Sequence, residues 1–318
     1  MYNINPKYKE FLFLLVKLSI VVGSIYFIYN KIVNNSELSF TEFINQINVI
    51  LFRNPSSIFI LILYTILNWF FEILKWKTLV STLKKITFYE AAKQSLASLT
   101  TSLFTPNRIG EYGAKAIYFL KQKRKIMLLN LIGNLNQLAV TIIFGIIGLI
   151  YFLTTYNINF SIHNLRRIGF LVAFIVLIPL SNRGKSLKLF GFFEFEKIKN
   201  FIKKINSKTH LKIFTFSVIR YIIFSHQFLF LLRLFGVETD YSILMLLIFS
   251  TYFIASSIPS IALFDWAIKG SVAIFIFSFI GIQETTIVTV TLLMWILNFA
   301  IPAVFGSFFV LNFKFTEE

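Results

Sequence analysis

The chain has 318 residues, of which 57% are apolar, and its mean hydropathy is +0.75. An ordinary soluble domain holds about 45–50% apolar residues, so a water-soluble fold is excluded, and the absence of Cys removes disulfides, thiol nucleophiles and thiolate metal sites. The net charge of +17 comes from basic residues that flank apolar runs, which points to anionic lipid headgroups rather than to nucleic acid.

Runs long enough to cross a bilayer lie near 11–29, 57–74, 126–152, 213–235 and 286–311, with a shorter one near 166–180. The first follows Lys7 and Lys9 as a signal peptide would, but it ends without a small-residue cleavage pattern and reads as a retained anchor. Two further regions, 91–120 and 241–281, are interrupted by Pro106 and Pro259 and by Arg108, Glu111, Lys115, Asp265 and Lys269. Each reads as a broken helix pair that either re-enters or spans.

Loop charge orients the chain. Lys75, Lys77, Lys84 and Lys85 follow the second span, Lys121, Lys123, Arg124 and Lys125 precede the third, and nine Lys and Arg residues fall between 181 and 212. These loops and the N-terminus are expected on the cytoplasmic side of the cell membrane. Glu238 and Asp240 mark an outer turn, and only Arg166 and Arg167 disagree. Within the basic loop 181–212, Phe192, Phe195, Ile198, Phe201, Ile202 and Ile205 recur at helical spacing among lysines. An amphipathic helix on anionic inner-leaflet headgroups is expected there, with a partner-binding helix as the alternative.

The two interrupted regions share an order of features: Thr, then Tyr two residues on, an apolar stretch, a Pro, an acid, and a Lys four residues after the acid. The acid–base pairs are Glu111 with Lys115 and Asp265 with Lys269, a spacing that puts both partners on one helix face. Three crossings separate the regions, so they form an inverted-topology repeat, the arrangement that places transporter sites near the bilayer midplane. The expected fold is therefore all-α, a polytopic bundle in one membrane domain over 1–318. Repeat one covers about 57–152 and repeat two about 213–311.

Charges inside a membrane region are costly, so Arg108, Glu111 and Lys115, then Asp265 and Lys269, are the first candidates for a substrate path, with internal pairing as the alternative. Asn130, Asn134, Gln137 and Thr141 form a polar stripe on the third span, either gluing helices or lining that path. Arg220 and Glu72 are internal counter-ions or snorkelling side chains. His163, His210 and His226 show no metal-ligand spacing, so no metal or cofactor is expected.

The segments LNWFFEILKWKTLVSTL and SLFTPNRIGEYGAKAIYFL, with the core Pro106, Arg108, Gly110 and Glu111, resemble the membrane domain of the lysylphosphatidylglycerol synthase and flippase-like family. The likeness covers nearly the whole chain. It departs at Ala114, where that family carries a basic residue, and in the segment from Pro259 to Asp265, which has no Gly. The resemblance implies lipid handling, and the expected function is translocation of an anionic or phosphate-linked lipid across the cytoplasmic membrane, with Arg108 and a half-helix N-terminus holding the phosphate. Glu111 would balance Lys115 or a cationic headgroup. A membrane enzyme of lipid or glycolipid synthesis, or a scaffold for a separate glycosyltransferase or synthase, are the alternatives.

Overall fold

A computed structural model describes residues 56–103, 105, 108–156, 188–189, 193–258 and 265–313, with scattered helical positions between 15 and 48. Its side chains are described beyond 188 only for residues 200–258 and from 267 onward. The expected spans at 11–29 and 166–180, together with Pro106, Pro259 and the Asp265 side chain, lie outside the described residues or are described too sparsely to assess. The described chain is helical apart from a two-residue antiparallel ladder pairing Lys188–Leu189 with Phe193–Glu194.

Four segments are long and apolar enough to cross a membrane, and they mark a membrane protein. They are Ser56–Val80 (α1), the segment Leu120–Thr155 whose α-helix is Lys123–Thr155 (α4), Ser207–Leu234 (α6), and Glu284–Leu311. The last consists of Glu284–Trp295 (α9), a π-helical turn at Ile296–Ala300, and Ile301–Leu311 (α10). Shorter helices lie between them: Phe88–Ser102 (α2), Gly110–Ile117 (α3), Phe195–Lys204 (α5), Tyr241–Ser257 (α7) and Asp265–Ser278 (α8). Exposed rows of large apolar side chains, such as Ile143, Ile147 and Ile150 on α4 or Val304, Phe305 and Phe308 on α10, suit contact with lipid tails.

The short helices double back in pairs. Ala91 near the start of α2 and Ala116 at the end of α3 join one core cluster with Trp76, Val80, Ile126 and Ile213. Gln94 of α2 accepts a hydrogen bond from Trp76 Nε1 at 2.8 Å, and the Lys115 ammonium of α3 sits 4.3 Å above the same indole ring. Both ends of the α2–α3 hairpin therefore rest at the basic end of the bundle, where α4 and α6 begin. In the second pair, Leu244 near the start of α7 and Ile276 and Phe277 near the end of α8 share a cluster with Phe152, Leu231 and Ile287. That is the opposite end, where α4 and α6 finish. At about 1.5 Å per residue, α4 is roughly 50 Å long, and the two helix pairs pack at opposite ends of it.

The packing is reciprocal. The first hairpin's α2 packs on α10, and the second hairpin's α7 packs on α4, while α1 and α6 pack on each other. Glycines allow both crossings. A Cβ on Gly306 would lie 2.2 Å from the Leu96 carbonyl oxygen, and one on Gly148 would lie 2.4 Å from that of Leu246. Small residues at such crossings let backbones approach where lipid supplies no hydrophobic drive to associate.

The expected helix of the basic loop forms as α5. Phe201 and Ile202 pack on the basic-end cluster and Ile205 is buried in it. This end of the apolar edge is covered by the bundle, where Trp76, Leu79, Ile126 and Ile213 belong to the same cluster.

A polar cavity at half-height

The sequence from Thr87 to Lys115 builds the first half of the site. Thr87 starts α2 with a reciprocal capping box, its side chain accepting from the Glu90 amide while the Glu90 carboxylate accepts from the Thr87 amide. The helix ends at Ser102, and Thr105 Oγ1 then accepts from the Gly110 amide at 2.8 Å. A side chain at Gly110 would meet the Thr101 carbonyl and the Thr105 side chain. Between them Arg108 takes φ +58, a left-handed conformation that costs a non-glycine residue about 1–2 kcal/mol.

The first amides of α3 are engaged within the turn. The amides of Glu111 and Tyr112 donate to the carbonyls of Arg108 and Ile109, and that of Gly110 to Thr105. The tight turn that reverses the chain uses these donors itself.

Two ion-pair groups result. Glu111, 4% exposed, accepts from Lys115 Nζ at 2.6 Å and faces Arg108 Nη2 at 3.4 Å; Lys115, 1% exposed, also donates to Asn130 Oδ1 at 2.8 Å. Glu111 is thus matched by Lys115. In the second group Glu72 lies 2.7 Å from Lys75 Nζ and 2.8 Å from Arg220 Nη1. Arg220 reaches further, to Asn68 Oδ1 at 3.0 Å and Gln137 Oε1 at 3.4 Å. Arg220 and Glu72 are therefore internal counter-ions. Lys75, read from sequence as a loop residue, is buried inside α1, because α1 runs on to Val80 and Lys75 lies on its inward face.

From Asn68 a chain of amides crosses the bundle. Asn68 Nδ2 donates to Asn298 Oδ1 at 2.7 Å, Asn298 Nδ2 to Gln227 Oε1 at 2.8 Å, and Gln227 Nε2 to Thr65 Oγ1 at 2.9 Å. Trp69 Nε1 donates to the Asn298 carbonyl in the π-helical turn, whose widened geometry is common at functional positions. Asn68, Gln137, Arg220 and Asn298 each stand near the midpoint of their own span.

These groups surround a cavity of about 460 Å³ lined by Glu72, Arg108, Glu111, Tyr112, Asn134, Gln137, Thr141, Arg220, Ser256 and Phe299, among others. A second space of about 210 Å³ shares Arg108, Gln137, Thr141, Arg220, Ser256 and Phe299 with it and adds Lys269 and Tyr252. Arg108 and Lys269, one from each hairpin, lie 5.6 and 5.4 Å from the centre of the Phe299 ring. The predicted stripe on α4 splits in role: Asn130 holds Lys115, Asn134 donates to the Tyr112 hydroxyl, and Gln137 and Thr141 line the cavity.

Of the predicted site residues, the structure gathers Arg108, Glu111, Lys115, Lys269, Asn130, Asn134, Gln137 and Arg220, with Gly110 shaping the turn. Sequence reading missed Asn68, Gln227 and Asn298 and misplaced Lys75. A signal was present on α1, where Thr65, Asn68, Glu72 and Lys75 recur at helical spacing within an apolar run. Among the described residues no group of three or more His, Asp and Glu side chains is placed to hold a metal ion. No protein-family model, curated protein or solved structure matches the chain.

Proposed function

We propose that this chain moves an anionic, phosphate-linked lipid across the cytoplasmic membrane, the headgroup crossing through the half-height cavity while the tail stays in lipid. One observation carries the reading: Arg108 and Arg220 line the same cavity at the middle of the spans, and each carboxylate beside them already has a buried lysine. Arg108 Nε has no hydrogen-bond partner, and a guanidinium fork suits a phosphate.

The two hairpins act as opposite gates of an inverted-topology repeat. Helices α1, α2–α3 and α4 correspond to α6, α7–α8 and the α9–α10 segment, and the reciprocal packing of α2 on α10 and α7 on α4 supports that pairing. Basic residues stand on both sides of the first hairpin and acidic ones before the second. This supports re-entry of the first from the cytoplasm and of the second from outside. The resemblance of the Pro106, Arg108, Gly110 and Glu111 core to the flippase-like family agrees with lipid handling. Closing one hairpin while opening the other would expose the arginines to each leaflet in turn.

The test is headgroup accessibility of fluorescent anionic phospholipids and prenyl phosphates in proteoliposomes. The native chain is expected to move such a lipid between leaflets, and Arg108→Ala and Arg220→Gln to abolish the movement while retaining the helical circular dichroism of the native protein. Native protein that is folded and moves none of these lipids would refute the reading.

A further inference from the structure

The charge balance around the cavity specifies more than an anion. Lys75 and Lys115, 2% and 1% exposed, each lie against one carboxylate, Glu72 and Glu111. Among the described residues that line the larger space or pair with its carboxylates, four cations thus share two carboxylates, and the two surplus positive charges belong to the arginines that face that space, while Lys269 in the adjoining volume has a partner of its own. Such a surplus is unfavourable at a partly dehydrated site, and an arriving anion would relieve it. A further donor lies beside this space: Tyr252 Oη is buried without a hydrogen-bond partner, and its side chain lines the adjoining volume.

A zwitterionic headgroup would bring a further cation to a site already two in excess, and a phosphodiester with one charge would leave one guanidinium unmatched. We infer that the preferred headgroup is a phosphate carrying two negative charges, a phosphomonoester at the end of a lipid. The inference rests on the translocation reading for its lipid, and on the charge balance alone for its valence. Arg108 and Arg220 each take one charge, and Tyr252 donates to a remaining phosphate oxygen.

The experiment measures binding by calorimetry to the full-length protein in uncharged detergent, at about pH 8, well above the second phosphate pKa of about 6. The probes are short-chain phosphatidic acid, phosphatidylglycerol and phosphatidylethanolamine, with inorganic phosphate as the soluble control. Phosphatidic acid is expected to bind at least about tenfold more tightly than phosphatidylglycerol, a difference of about 1.4 kcal/mol, and phosphatidylethanolamine more weakly still. Arg220→Gln is expected to remove most of the preference between the two anionic lipids. Equal affinity of the native protein for phosphatidic acid and phosphatidylglycerol overturns the inference, with no variant needed. Inorganic phosphate binding as tightly as the lipid would keep the double charge but overturn its lipid source. Tight phosphatidic acid binding without leaflet exchange would sink the translocation reading alone.

Discussion

Replacing Glu111 by Gln removes one charge from the most deeply buried ion pair of the site. Lys115, 1% exposed, would keep its ammonium within reach of Asn130 and Trp76 but lose the carboxylate at 2.6 Å. Breaking one side of a buried pair costs about 3–5 kcal/mol, whereas replacing both members by uncharged groups is often close to neutral. The single change is therefore expected to destabilise the protein by about 3 kcal/mol, since the Gln carbonyl still accepts one bond, and Glu111→Gln combined with Lys115→Met to recover to within about 1 kcal/mol of native. At roughly 2–4 °C per kcal/mol the single variant should lose about 6–12 °C in apparent Tm, read in detergent at one scan rate because such unfolding is often irreversible. A loss below about 1 kcal/mol, or a double variant as damaged as both singles together, would refute the account of Glu111 as the counter-charge that Lys115 requires.

Arg108→Gly should leave the fold intact or stabilise it by up to about 1–2 kcal/mol, because φ +58 suits glycine, yet abolish lipid movement; thermal melts and proteoliposome transport on the same preparation separate the two effects. Gly306→Val should lower thermal stability sharply, since its Cβ would fall 2.2 Å from a backbone oxygen, whereas Gly113→Ala, with nothing within 4 Å, should raise it by about 0.5–1 kcal/mol. Equal melting temperatures for the two would defeat the close-crossing argument. Thr87→Ala should speed amide exchange over the first turn of α2 as about 1 kcal/mol of capping is lost. The bonds from the Thr87 amide and hydroxyl hold the Glu90 carboxyl below its usual range. A depressed folded-state pKa stabilises fully above the unfolded pKa and is lost as pH falls through the folded one, so native α2 should fray only below the normal carboxylate range. Fraying that instead begins as pH rises would contradict that sign.

Much of this architecture was legible before any coordinate. Apolar run length placed four spans to within a few residues at most ends, because a bilayer sets a minimum length that composition must meet. The interruptions at 91–120 and 241–281 showed where helices break, since internal charges and prolines are tolerated in apolar segments only for a reason. Helical spacing foretold the Glu111–Lys115 pair, a contact within one helix. What spacing could not show was which helix faces which. Arg220 and Glu72 are 148 positions apart in sequence and meet only because α1 packs along α6. Lys75 looked like a loop charge until the helix carried it inward, and Asn68, Gln227 and Asn298 look like isolated amides until three spans bring them together. Local periodicity determined the elements and their polar faces, while tertiary packing decided which carboxylate neutralises which cation, and so left two arginines turned toward one cavity.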